Sequence, residues 1–99
     1  MYQITIIYSQ PTDPAAFDDY YSKKHVPLVD AIAGVATFNF GKCESLDDTP
    51  PAAYALAQLR FDSKDAALQA LGSPAGQAAA GDVANFATGG ATMLFSGDA

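Results

Sequence analysis

The chain holds one histidine, inside the stretch "YYSKKHVPLVDAIAG", residues 20–34. An imidazole changes charge near neutral pH, so His25 is the side chain suited to take and return a proton there. Tyr21 stands four residues earlier, a spacing that puts a phenol beside an imidazole on a helix. There it could orient or polarise a bound molecule while His25 acts as general acid or base. At 100° per residue, Phe17, Tyr21, His25, Leu28 and Ile32 share a stripe about 80° wide. A mostly apolar wall with a few convergent polar groups is the make-up of a small-molecule pocket. The opposing reading of His25 is structural. Pro27 removes a backbone donor and interrupts the helix, and the imidazole would bond a carbonyl freed there. Tyr21 is likewise either a ligand contact or a core aromatic with its hydroxyl at the edge.

Other candidates are sparser. "DVANF", with Asp82, Asn85 and Phe86, precedes "ATGG" and reads as a helix end and turn. Pocket residues also sit on such loops. Asn39, Gln58 and Arg60 are polar positions inside strand-like segments, suited to a sheet edge, a subunit contact or a pocket. A lone cysteine, Cys43, forms no internal disulfide. Its neighbour Lys42 points to the other face of a strand, so the thiol reads as packed and inert. One histidine and no cysteine cluster make a zinc site improbable, and no metal site is expected. Neither a phosphate-binding glycine loop nor a dinucleotide fingerprint is present, and no serine sits in a nucleophile elbow. An enzyme of this composition is expected to work without a tightly bound cofactor.

The elements that must position these residues follow from pattern. "YQITIIYS" is a strand by its β-branched and aromatic content. Tyr2, Ile4, Ile6 and Tyr8 fall on one face, with Gln3, Thr5 and Ile7 on the other. Asp13 caps a helix with Pro14 at its first position, and Gly34 ends that segment. Asp19 and Lys23 pair at i,i+4. "VATFNFGKCE" is a second strand and "SLDDTPP" a loop. "AAYALAQLRF" is ambiguous by its alanines, but the alternation favours a strand. Ser63 caps the helix "SKDAALQAL", closed by Gly72. Ser73 and Pro74 start another, and "GGATMLFSG" is a final strand. The order β-α-β-β-α-(α)-β is the ferredoxin-like split βαβ pattern of an α+β fold, a four-stranded antiparallel sheet with helices on one face.

At 99 residues one domain spanning 1–99 is expected, with a thin core that oligomerisation would reinforce. The second sheet face is expected to be apolar in part, which predicts a partner; a C2 homodimer packing sheet to sheet would satisfy it. The formal charge of −6 argues against binding nucleic acid or an anionic membrane. No apolar run reaches about 20 residues, and "MYQITIIY" lacks the features of a signal peptide. A cytoplasmic location is the expectation.

"FDDYYSKKHVPLVDAIAGV" resembles the EthD family, the small proteins first associated with ethyl tert-butyl ether degradation. The family pattern F-x-x-Y-Y-x-x-x-H-x-P-L is met by Phe17, Tyr20, Tyr21, His25, Pro27 and Leu28. Ala33-Gly34 stands where Pro-Gly is common. The resemblance continues through Ser73-Pro74, Gly76-Gln77, Asp82 and Asn85-Phe86, and so covers nearly the whole chain. It implies a dimeric α+β barrel, two sheets forming a shared barrel with a pocket between sheet and helices in each protomer. Related barrels include cofactor-free monooxygenases, lactone isomerases and polyketide cyclases. It also implies His25 and Tyr21 as leading pocket residues, with Asn85 and Phe86 next, while Phe17 and Leu28 line the same stripe. Two functions remain open. One is cofactor-free conversion of a small apolar, aromatic or lactone-like molecule. The other is a non-catalytic ligand-binding or accessory module.

Overall fold

The structure, a computed structural model, describes residues 1–98. Its strands are β1 (Tyr2–Tyr8), β2 (Thr37–Lys42), β3 (Ala55–Phe61) and β4 (Ala91–Gly97). They form one sheet in the order β2-β3-β1-β4, every neighbouring pair antiparallel. The helices are α1 (Pro14–Tyr20), α2 (Val26–Asp30), α3 (Lys64–Gly72) and α4 (Pro74–Asp82). This is the expected ferredoxin-like α+β architecture. Among the described residues, no helix is long and apolar enough to cross a membrane.

Local chemistry sets the helix starts. Asp13, Ser63 and Ser73 each accept a hydrogen bond from the backbone amide three residues on, at 3.1 Å. Each cap thereby satisfies one donor that the first turn leaves free. Ser73 also closes α3, so α3 and α4 meet at one residue. They pack closely there, since a Cβ on Gly76 would sit 2.0 Å from the Ala70 carbonyl oxygen.

Period 2 resolves the alanine-rich segment. Ala55, Ala57, Leu59 and Phe61 are buried and pair with Tyr8, Ile6, Ile4 and Tyr2 of β1. Small residues on β3 thus lie opposite large ones on β1, leaving room for aromatic side chains from above. Tyr8 is fully buried and meets Phe17, Tyr21 and Phe86 at centroid distances of 5.4–5.9 Å. The opposite sheet face carries Ile7 beside Leu56, and Leu94 next to Thr5, among Gln3, Asn39, Gln58 and Arg60. It is apolar in part, as expected. Asn39, Gln58 and Arg60 therefore face away from the helices.

The helix carrying His25 departs from expectation. It is not one α-helix kinked at Pro27. A π-helical turn, Tyr21–His25, separates α1 from α2, and the Val26 amide donates to the Tyr21 carbonyl five residues back. The buried positions here are Phe17, Tyr21, His25, Val29 and Ile32. Steps of four residues overrun an α-helical turn by about 40° each, and the wider π turn absorbs that drift. It lies just before Pro27, where the hydrogen-bond ladder already lacks a donor. One consequence corrects the predicted stripe: Leu28 is half-buried on the flank, and Val29 takes its inward place.

The register is testable by truncation. Val29→Ala is expected to cost about 2 kcal/mol, and Leu28→Ala less, although it removes the larger side chain. Urea denaturation of both variants checks this; the reverse order would restore a plain α-helical stripe.

Candidate functional site

The π turn carries His25 over the sheet, and the end of α4 brings Asp82 to it from 57 residues away. His25 Nδ1 lies 3.0 Å from Asp82 Oδ2, with the imidazole 2% exposed. Asp82 Oδ1 accepts from the Tyr20 hydroxyl at 2.6 Å and from Asn85 Nδ2 at 3.0 Å. One carboxylate thus gathers three donors. An ionised carboxylate only accepts, so the network assigns the imidazole proton to Nδ1 and leaves a lone pair on Nε2. Nε2 has no hydrogen-bond partner among the described residues.

The electrostatics agree with that assignment. Burial holds the His25 pKa below the ordinary histidine value, outweighing the pull of Asp82 toward the charged form. The imidazole is therefore neutral at neutral pH. Burial works to raise the Asp82 pKa, but the hydrogen bonds from Tyr20, Asn85 and His25 outweigh it and the net shift is downward. The hydrogen bond to Asp82 raises the Tyr20 pKa, so that phenol stays protonated as a donor.

His25 also lines a cavity between sheet and helices, shared with Ile4, Ile6, Val29, Ala79 and Met93 among others. Its volume is about 40 Å³. A single water needs roughly 10–15 Å³ by this kind of measure, while sites for drug-sized ligands run from about 300 Å³. The space suits a few atoms, and apart from His25 its side chains are aliphatic.

The other sequence candidates surround this centre in different roles. Tyr21 is buried with its ring centroid 5.2 Å from that of His25 and stacks on Phe40 at 4.0 Å. Phe86 also packs on the imidazole, at 4.6 Å, and meets Tyr21 edge-on at 5.5 Å. Phe17 lies one ring further, stacked on Tyr21. Asn85 is exposed and acts on Asp82 rather than on the cavity; with Phe17, Tyr20 and Phe86 it borders a separate outer groove of about 180 Å³. Leu28 does not border the cavity; Val29 does. His25 bonds a carboxylate, so the reading in which it bonds a carbonyl freed at Pro27 is corrected. Among the described residues, no group of three or more His, Cys, Asp or Glu side chains is placed to hold a metal ion.

Sequence reasoning weighed Asp82 with Asn85 and Phe86 as a helix end and turn or a pocket loop, and met Tyr20 only in the family pattern; it paired neither with His25. Nothing local reveals a pairing across 57 positions.

Comparison with known proteins relates the sequence and the fold to a family. Residues 9–90 match the EthD domain. An uncharacterized 11.0 kDa protein in the thcB-thcC intergenic region of Rhodococcus erythropolis is 65% identical over 96 residues, covering 97% of this chain and 93% of that one. A crystal structure of an EthD family protein from Bacillus halodurans superposes with a TM-score of 0.93 at 24% identity, covering 100% and 99% of the two chains. A dimeric ferredoxin-like protein from Thermobifida fusca gives a TM-score of 0.73 at 13% identity, covering 98% and 90%.

The Asp82–His25 pair sets an acid limb of stability. Well above pH 6.5, the ordinary histidine value, His25 is neutral both folded and unfolded, and its titration adds no pH dependence. Below it the unfolded chain binds the proton more readily, so stability falls with pH. Asp82 stabilises fully above its ordinary 3.8, and that contribution is lost as pH falls through its lower folded value. Thermal unfolding should therefore weaken in two stages on acidification, and His25→Gln should remove the upper stage. Asp82→Ala leaves Tyr20 and His25 without their acceptor and is expected to cost about 2–4 kcal/mol at pH 7. A flat profile from pH 7 to 5 in the native chain contradicts the buried neutral imidazole.

Proposed function

The chain belongs to the EthD family, and for this member we propose a small-molecule site that moves a proton without a bound cofactor. The observation that carries the reading is the buried Asp82–His25 pair, beside a cavity otherwise aliphatic. Asp82 fixes the imidazole tautomer and orientation, so that Nε2 is the atom available as base. Nε2 takes a proton from an acidic C–H or O–H of the bound molecule. The imidazolium that forms is compensated by the Asp82 carboxylate at 3.0 Å. Return of the proton to a different atom gives isomerisation; cyclase and cofactor-free monooxygenase chemistry share the same first step.

The substrate class follows from the lining. A small apolar molecule, or a short aliphatic limb of a larger one, fits a space of about 40 Å³ better than an aromatic ring does. The association with ethyl tert-butyl ether degradation that the family resemblance implies is compatible with a compact aliphatic group. The same small volume favours a second reading, a non-catalytic ligand-binding or accessory module in which His25 is only a polar anchor.

We also place the protein as a homodimer in the cytoplasm. Its relative from Thermobifida fusca is described as dimeric. In the single chain β4 is exposed along its whole length, with Met93 and Phe95 on the helix side and Leu94 on the uncovered sheet face that Leu56 shares. Burial of such apolar area is the usual drive for association.

Hydrogen exchange separates the two functional readings. Acetone and 2-butanone, compact enough for that space, should exchange their α-hydrogens in D₂O faster with the protein than in buffer, as followed by NMR. His25→Asn should slow that exchange at least about 100-fold. A variant rate equal to the native one removes the catalytic role, and a native rate equal to buffer leaves the binding module. Light scattering at micromolar concentration should give twice the chain mass; the monomer mass would contradict the dimer.

A further inference from the structure

We propose that a second copy of this chain packs over both faces of β4 and walls the His25 cavity at Met93, so that the site is complete only in the dimer. This rests on the homodimer reading and deepens it; it does not require His25 to be catalytic.

The starting point is where the helix layer stops. On β1 the residues under the helices are covered, with Ile4 1% and Ile6 8% exposed. Their partners on β4, Phe95 and Met93, point to the same side yet are 47% and 37% exposed. No residue of β4 is buried on either face. The His25 cavity reaches this boundary, because Met93 lines it from the sheet and Ala80 from α4, and both are exposed. A side chain as flexible as methionine, free on its outer side, makes a loose wall. The cavity therefore has a fixed boundary at the buried Ile4, Ile6 and Val29 and an unfixed one at Met93.

The distribution of charge favours a second copy as the cover. The chain has five basic and eleven acidic side chains, but between residues 66 and 97 the only charged one is Asp82, which is bonded inward to His25 and Tyr20. Asp98, just past β4, is paired with Arg60 and the amino terminus. The exposed positions of this stretch include Ala78, Ala80 and Gly81 of α4 together with Met93, Leu94 and Phe95 of β4. Depletion of charge where methionine and phenylalanine are kept is the composition of an interface core. Two copies that each carry −6 repel through their acidic surfaces. This charge-free face is where they meet without opposing carboxylates, whereas a basic partner gains nothing here.

The backbone points the same way. β4 is an edge of the sheet. It pairs with β1 through seven consecutive residues without a bulge, and it holds no proline and no charged residue. An apolar edge of that kind pairs with another chain unless it is covered. The opposite edge, β2, ends in Lys42.

Met1 and Met93 are the two methionines, so ¹³C-methyl methionine labelling gives two signals. In dimers mixed from labelled and unlabelled copies, isotope-filtered NMR should show contacts from the Met93 methyl to protons of the unlabelled copy. Phe95→Asp, outside the cavity lining, should weaken dimerisation at least about 30-fold by analytical ultracentrifugation and keep the native circular dichroism. In that monomer water reaches the cavity, so the His25 NMR signal should titrate nearer the ordinary 6.5 than in the native dimer. A native chain that is monomeric by light scattering overturns the proposal together with the homodimer reading. The proposal alone is overturned if the native dimer shows no contact between copies at Met93, if Phe95→Asp dimerises as the native chain does, or if His25 titrates identically in monomer and dimer. Should Phe95→Asp not fold, the contacts at Met93 in the native dimer decide.

Discussion

One carboxylate ties the two halves of this fold together. Asp82 closes α4 in the second half, and its oxygens take hydrogens from Tyr20 and His25 in the first. A carboxylate with a tenth of its side chain exposed is costly to desolvate unless donors replace water, and here three do. The same bonds fix which imidazole nitrogen carries the proton. A structural demand and a chemical one are therefore met by a single interaction. Removing it would loosen the docking of the π turn on α4 and free the tautomer together.

That interaction depends on backbone devices on both sides. The π turn keeps residues spaced by four on one face, so Phe17, Tyr21, His25 and Val29 all reach the core. On the other side, α4 is largely glycine and alanine and lies close against α3 at Gly76. Small residues on α4 and on β3 make room for the aromatic side chains of β1 and the first helical segment. Tyr8 shows the result, with a residue of its size entirely buried above Ala55. The core is thus an aromatic cluster set into an alanine-lined frame, and His25 lies at its border with an aliphatic cavity.

The same packing sets the scale of the site. Aromatic rings occupy most of the space between sheet and helices, and the remaining cavity is small. What it lacks in volume it has in definition. The imidazole has one committed nitrogen and one free. On the proposed reading, selection would rest on the placement of a few polar atoms, because apolar contact over so little area discriminates weakly.

Much of the architecture was legible in the chain alone. Strand periodicity, the caps at Asp13, Ser63 and Ser73, and the order of elements follow from contacts within a few residues, which a sequence displays directly. The inward placement of Tyr21 and His25 was visible for the same reason. What only the tertiary structure decided was everything that depends on distance across the fold. The π turn exchanged Leu28 for Val29, because hydrogen-bond register within a helix answers to packing as well as to spacing. The partner of His25 proved to be Asp82, and two tyrosine hydroxyls proved to have none. Pairings between residues far apart in sequence are set by how the helices dock on the sheet, and no local pattern of side chains encodes them.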